Sequence, residues 1–420
     1  MGGIVLQIVF LLSISMTVIS PHIGVLVYYW FTWLNPHRLV YGLLPLDWGK
    51  IIALTTIICI LFSKEKKRIP ANTLIITVIV LFLWTTVTTF FAKYPDAALS
   101  EYIDFAKVIT MSFIIVILIN TKTKLHALVW VVSISIGFFA VKGGMFTIIS
   151  GGNYYVYGPP SSHIFNTNEI ARAFLMCLPL TYYLSIQSYY IYVRYAMSIV
   201  SILTIVAIFG TTSRTVFLVL LVVLFFGWLR RDKKLKIGIL GIVAGIAILV
   251  ALPEERFEGL SEKYRTSSEY ETDTSFQGRV FVWNYIVQNL AESHPIAGGG
   301  FKAVVNDLKK EPHSSYFQML GEHGYVGLTI YLFLSIATLL KTNKIYRVAK
   351  RNPNLTWAKD LALMIQLSFI GYFLGGVTKN AAFFEFYYML IGMTVVLEEL
   401  VAKEVRKIAP SSTPIVQSAK

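Results

Sequence analysis

Pro295-Ile-Ala-Gly-Gly-Gly-Phe-Lys302 and, shortly after it, His313-Ser-Ser-Tyr-Phe-Gln-Met-Leu-Gly-Glu-His-Gly-Tyr-Val-Gly327 form the stretch around which the chain is organised. Gly298, Gly299 and Gly300 permit tight or left-handed backbone that residues with a β-carbon resist. Beyond this turn, His313 opens a segment that soon becomes an apolar run of membrane-helix length, residues 324 to 341. A titratable imidazole therefore stands where water meets lipid. The rest of the chain reads as scaffold and as basic side chains directed at that point.

Outward from this stretch, the composition is that of a polytopic membrane protein. Of 420 residues, 55% are hydrophobic and 14% charged, and the mean hydropathy is +0.64, outside the range of a soluble domain. A helix crossing hydrocarbon needs about 20 mostly apolar residues. Such runs occur at 4 to 34, 47 to 63, 73 to 92, 105 to 120, 126 to 149, 169 to 187, 195 to 211, 214 to 229, 237 to 252, 324 to 341, 358 to 378 and 381 to 400. This predicts an all-α bundle of about twelve transmembrane helices, or thirteen if Pro21 splits the first run. The domain organisation follows: helices one to nine over 1–252, a long external loop over 253–323 forming a helical subdomain, the last three helices over 324–400, and a tail over 401–420 that is expected to be disordered from Ala409.

The net charge of +14 does not point to nucleic acid, because of where it lies. Lys64-Glu-Lys-Lys-Arg68, Lys122 with Lys124, Arg230 to Lys236, Lys341 to Arg351 and Lys403 to Lys407 fall in alternate loops, as the positive-inside rule expects of the cytoplasmic side. Twelve spans then put both termini in the cytoplasm. The long loop faces outward, with seven Lys/Arg against ten Asp/Glu over 253–312, so its basic residues have no topological use. Cys59 and Cys177 lie inside apolar runs and read as buried thiols with no disulfide. No basic region precedes the first apolar run, which reads as a retained anchor rather than a cleaved signal.

Several outward-facing residues stand out. Residues 151–168 alternate turn formers with Tyr154, Tyr155 and Tyr157, offering stacking surfaces and amides suited to sugar rings. Asn168 is placed to cap the next helix, with Glu169 in its first turn. Arg172 lies one turn further in, where a cation is disfavoured by the helix dipole and by the membrane unless it snorkels or meets an anion. Arg214 follows Gly210-Thr-Thr-Ser at the start of another helix, whose free N–H groups favour an anion; a surface salt bridge is the bland alternative. The long loop holds Arg256, Lys263, Arg265 and Arg279. After Arg279, the apolar residues Val280, Trp283, Ile286, Val287 and Leu290 recur at helical spacing and predict an amphipathic helix of a kind that can lie on a membrane surface.

The sequence carries no Asp-x-Asp diphosphate-metal motif, His-Glu-x-x-His pair, P-loop or zinc-spaced Cys/His cluster. What remains outside is one well-placed histidine and several arginines, whose guanidinium forks match phosphate oxygens bidentately. A histidine titrating near neutrality is suited to accept a proton from a sugar hydroxyl. The bland alternative for His313 is an interfacial histidine satisfied by backbone; its place at the start of a polar pattern on a membrane-entering helix favours function. His323, His294 and His163 are less well placed.

Arg279 with Trp283, Pro295-x-x-Gly298-x-Gly300, and His313-x-x-Tyr316-x-Gln318-x-x-x-Glu322-x-Gly324-x-x-Gly327 resemble the signature of the bacterial O-antigen ligase/polymerase superfamily, and Thr212-Ser-Arg214 and Asn166-x-Asn168 resemble its two earlier short motifs. Its specific part covers roughly residues 253 to 330. Members usually carry asparagine after the histidine, where this chain has Ser314. The order of spans around the long external loop looks most like the O-antigen ligase branch. The resemblance implies a membrane glycosyltransferase of GT-C-like fold in the bacterial inner membrane, with its active site facing the periplasm. It further implies metal-independent inverting transfer, without a cofactor, of a glycan from undecaprenyl diphosphate to a lipid A-core sugar hydroxyl. In that reading His313 is the base; Arg214, Arg265 and Arg279 hold the diphosphate, with Arg172, Arg256 and Lys302 as second choices. Tyr316, Gln318, Glu322 and Asn168 bind acceptor or support the site. An O-antigen polymerase or a protein O-glycosylation ligase shares these parts. A lipid or polysaccharide transporter is the reading of another class; it predicts buried mid-span charges and internal repeats, which the one-sided clustering of polar groups does not match.

Overall fold

The computed structural model describes residues 2–40, 46–63, 67, 69–160, 162–230 and 276–408. Over these the chain is all-α, with α1 (Gly2–Ile19), α2 (His22–Leu34), α3 (Trp48–Phe62), α4 (Thr73–Phe90), α5 (Pro95–Leu118), α6 (Lys122–Ile149), α7 (Thr167–Gln187), α8 (Ile191–Gly210) and α9 (Arg214–Leu229). After the gap come α10 (Phe276–Tyr285), a π-helical turn (Ile286–Ala291), α11 (Ala303–Leu308), α12 (Ser315–Lys350), α13 (Thr356–Gly375) and α14 (Glu385–Ile408). The expected span at 237–252, the loop residues Arg256, Lys263 and Arg265, and the tail from Ala409 lie outside the described residues.

By length and composition α4, α6, α8 and α12 are apolar enough to cross a membrane, and α1, α3 and α9 are shorter apolar helices. Local sequence explains where several begin. Asn72 accepts a hydrogen bond from Leu74 N–H and Thr121 from Lys124 N–H, relieving orphan donors at the starts of α4 and α6. The centre of the bundle is α7, buried along nearly its whole length and packed against α8 and α13.

The basic loops and the Pro295–Gly327 stretch lie at opposite ends. At one end Asn72 and Lys341 both bond Glu398 of α14, and Arg230 donates to Gln366 of α13. At the other, Lys93 after α4 meets the glycine turn, and the α13–α14 loop meets the start of α12.

The structure bears on three expectations. Pro21 divides the first apolar run into two antiparallel helices: Phe10 packs against both Phe31 and Trp48, while Thr17 and Thr56 crowd Gly24. Because Trp33 near the end of α2 packs on Phe384 and Phe386, this hairpin opens at the site end and points its Pro21 tip the other way. Among the described residues, Gly2 of α1 thus lies towards the site end and Ile408 of α14 towards the basic end. Secondly, the apolar face of the helix after Arg279 is not left open for a membrane surface. Its Val282, Ile286 and Leu290 are buried against Val304 of α11 and Leu320 of α12, because these neighbours supply the apolar cover that lipid would otherwise give. Thirdly, the membrane helix expected at 324–341 begins where expected and runs further: Gly324, at φ 67°, ψ −171°, breaks α12 there, and the helix beyond it continues to Lys350, so the segment after His313 is a separate helical piece before the break.

The outer subdomain is fastened to the bundle through Asp307. Its carboxylate accepts from Lys93 Nζ at 2.6 Å, Tyr94 Oη at 2.7 Å and Tyr285 Oη at 2.9 Å. Burial alone raises this carboxyl's pKa, and the three donors outweigh it and bring it below the usual value.

Candidate active site

The glycine turn docks backbone to backbone on a break in α12. Gly324 stands at φ 67°, ψ −171°, outside helical geometry. Gly299 N–H donates to Gly321 O, Gly300 N–H to Glu322 O and Tyr325 N–H to Pro295 O, each at 2.9 Å. Gly298 has φ +66°, and a Cβ there would lie 2.7 Å from backbone atoms of Glu322, His323 and Gly324. Only glycine allows that approach. The carbonyl of His323 accepts from Trp84 Nε1 at 2.9 Å.

His323 itself is a packing residue. It is fully buried, its Nδ1 is 2.7 Å from Thr88 Oγ1, and its ring sits edge-on between Phe301 and Phe383. Glu322 accepts from Lys302 N–H at 3.0 Å and from Gln318 Nε2 at 3.4 Å. Tyr316 donates to Phe373 O at 2.5 Å. Tyr316, Gln318 and Glu322 therefore brace α12 against the glycine turn and α13.

His313 occupies different ground. Trp283, stacked on Phe317 with ring centroids 4.8 Å apart, donates its indole N–H to Pro312 O at 2.8 Å. The next residue, His313, takes φ 48°, an uncommon left-handed backbone for a side chain of its size. On its other side Asn380 Oδ1 accepts Ser314 N–H at 3.1 Å, and Ser315 bonds Gly376 O and Lys379 O. So placed, His313 lines a cleft of 370 Å³ with Gly278, Lys309, Lys310 and Glu311.

Among the described residues three further cations stand around this segment. Arg172, on α7, is 4% exposed; it donates to Asn380 O at 3.1 Å, and its guanidinium carbon lies 4.4 Å from the Phe384 ring centroid. Arg279, near the start of α10, is half-buried, and burial lowers its pKa. The Nε atoms of both are buried without a hydrogen-bond partner. Lys379 lies between α13 and α14; burial first, then Arg279 and Arg172, push its pKa down to about 8, against the opposing pull of Glu169. Among the described residues none of the three has a carboxylate at ion-pair distance.

The other expected residues are distributed as follows. Asn168 does not cap α7: Asn166 holds that position, and Asn168 Oδ1 instead accepts from Ser213 Oγ at 2.8 Å, because Ser213 arrives beside it. This bond ties the start of α9, and so the exposed Arg214, to the start of α7. Lys302 pairs with Glu101 Oε2 at 3.6 Å and stands among acids that hold its pKa above the ordinary value despite burial. Tyr154 and Tyr157 are each half-exposed, Tyr157 stacking on Phe165.

Lys379 and Asn380 are what a reading of the sequence misses. Asn380 alone bonds Arg172, Ser314 and, through Nδ2, Glu311. A signal exists: Lys379 sits between apolar runs ending at 378 and starting at 381, at the end opposite the basic loops, and the reasoning that singles out Arg214 applies to it.

Residues 1–190 match a family of unknown function, DUF5935, and residues 199–332 match the O-antigen ligase family. No curated protein matches the chain.

Proposed function

For a chain whose O-antigen ligase domain is consistent with the O-antigen ligase/polymerase superfamily, we propose ligase-type glycosyl transfer, from undecaprenyl diphosphate to a lipid A-core sugar, at the periplasmic face of the inner membrane. The observation that carries this reading is the convergence on one segment of a histidine and under-partnered arginines, with Asn380 bonded to both Arg172 and Ser314.

In this mechanism His313 accepts the proton of the acceptor hydroxyl as its oxygen bonds to the anomeric carbon of the donor. The bond from that carbon to the diphosphate oxygen breaks on the opposite side, which inverts the configuration. The electron pair leaves with the lipid diphosphate, whose charge is met by Arg172 and Arg279, with Arg214, Arg265, Arg256 and Lys302 as further candidates. The half-exposed tyrosines of residues 151–168 offer stacking faces for sugar rings.

The test is transfer by the purified chain from undecaprenyl-diphosphate-linked glycan to lipid A-core, with chelator present, read as a gel shift of the acceptor. Transfer that persists in chelator and is lost in His313→Ala supports the reading. Lengthening of the donor without lipid A-core makes the protein a polymerase, and transfer to no acceptor overturns the proposal.

A further inference from the structure

We infer that the loop between α13 and α14 is the third wall of the anion site, with Lys379 taking the diphosphate together with Arg172 and Arg279. The inference rests on the donor class proposed above and assigns a residue outside the ligase-family match at 199–332.

Three observations carry it. Arg172 and Arg279 each bury an Nε with no partner; a buried donor left unmade is costly, so two such donors on neighbouring cations point to an acceptor that arrives from outside. Lys379 is brought to the same place by a loop whose backbone is spoken for: its carbonyl accepts from Ser315 Oγ, and that of Asn380 from Arg172. The ammonium of Lys379 is near enough to both arginines for their charge to lower its pKa. Like charges with no carboxylate at ion-pair distance among the described residues repel, and a diphosphate relieves that repulsion.

The groups facing this point are Arg172 and Glu169 on α7, Arg279 on α10, Glu311 and His313 before α12, and His163, which acts on Glu169. Glu169 is the acid whose pull on Lys379 registers, and with Glu311, held by Asn380, two carboxylates against three cations leave the site cationic. Since the free site holds the Lys379 pKa at about 8, an arriving anion that restores it draws in a proton, and affinity falls as pH rises past that value.

The experiment measures binding of undecaprenyl diphosphate in lipid nanodiscs, and of inorganic pyrophosphate, to the full chain, comparing wild type with Lys379→Met, Lys379→Arg and, as a remote control, Lys107→Met. The expected result is an affinity loss of about tenfold in Lys379→Met for the lipid diphosphate, the scale of one charge-assisted hydrogen bond. Lys379→Arg keeps the affinity and loses its decline above about pH 8, because arginine stays charged there. A parallel loss for pyrophosphate places recognition in the phosphates alone. Equal binding by wild type and Lys379→Met overturns this inference and leaves the ligase reading standing. Failure of the wild type to bind either probe overturns both.

Discussion

At the scale of single residues, the site separates two histidines that stand close in sequence. His323 is enclosed between Phe301 and Phe383 and bonded to Thr88, whereas His313 faces a cleft. Replacing His313 with alanine is expected to lower transfer by about a hundredfold or more, the range for a general base, with the thermal midpoint unchanged. Replacing His323 with alanine should instead lower the midpoint, since it empties a buried aromatic site. Lys379 makes a prediction of opposite sign to an ordinary lysine. Its folded pKa of about 8 lies below the usual 10.5, so the folded, ligand-free chain binds this proton less tightly than the unfolded chain. That penalty on folding is complete below about 8 and disappears as pH rises towards 10.5. Ligand-free protein should therefore gain thermal stability over that window, and Lys379→Met should show a flatter profile.

At the scale of elements, the glycine turn and the break in α12 act as one joint. Alanine at Gly298 places a side chain at φ +66° and a Cβ 2.7 Å from the facing backbone. The left-handed conformation alone costs about 1–2 kcal/mol, and the clash adds to it. Gly298→Ala is thus expected to lower both stability and transfer, whereas Gly152→Ala, strained at φ +78° but with nothing within 4 Å, should spare transfer. Asp307 is the second fastening. Asp307→Ala removes three acceptor bonds, one to a cation, and leaves Tyr94 and Tyr285 without their partner. Faster amide exchange over α11 is the readout, and exchange unchanged there would show the network idle.

At the scale of the whole molecule, the basic loops and the site occupy opposite ends, and the hairpin α1–α2 opens at the site end. Cysteine-labelling in intact membranes checks this after Cys59 and Cys177 are replaced. A cysteine at Gly3 or Asn35 should react with an impermeant reagent from the same side, and one at Lys403 only from the other. Labelling of Gly3 and Lys403 from one side would restore the even count of spans. The alternation of basic loops was legible because charge distribution along a chain is a local property read against a slab. The turning back at Pro21 was legible only as a break, since proline interrupts a helix without stating the direction taken afterwards.

What the sequence by itself determined is the helical, membrane-spanning class and the glycine turn; it also offered His313 with Arg214, Arg265 and Arg279, and Arg172, Arg256 and Lys302 behind them, as site candidates. Each follows from hydropathy, backbone freedom or charge within a short window. Only the tertiary structure decided that Gly298 fits against the backbone of α12, that Glu322 and Tyr316 brace rather than face the cleft, and that Asn168 bonds Ser213. It alone brought Asn380 to Arg172, 208 residues away in the chain. The reason is physical: side-chain type limits what a residue can do chemically, but which groups meet depends on how buried helices pack and where their loops are carried. No periodicity along the chain encodes that meeting.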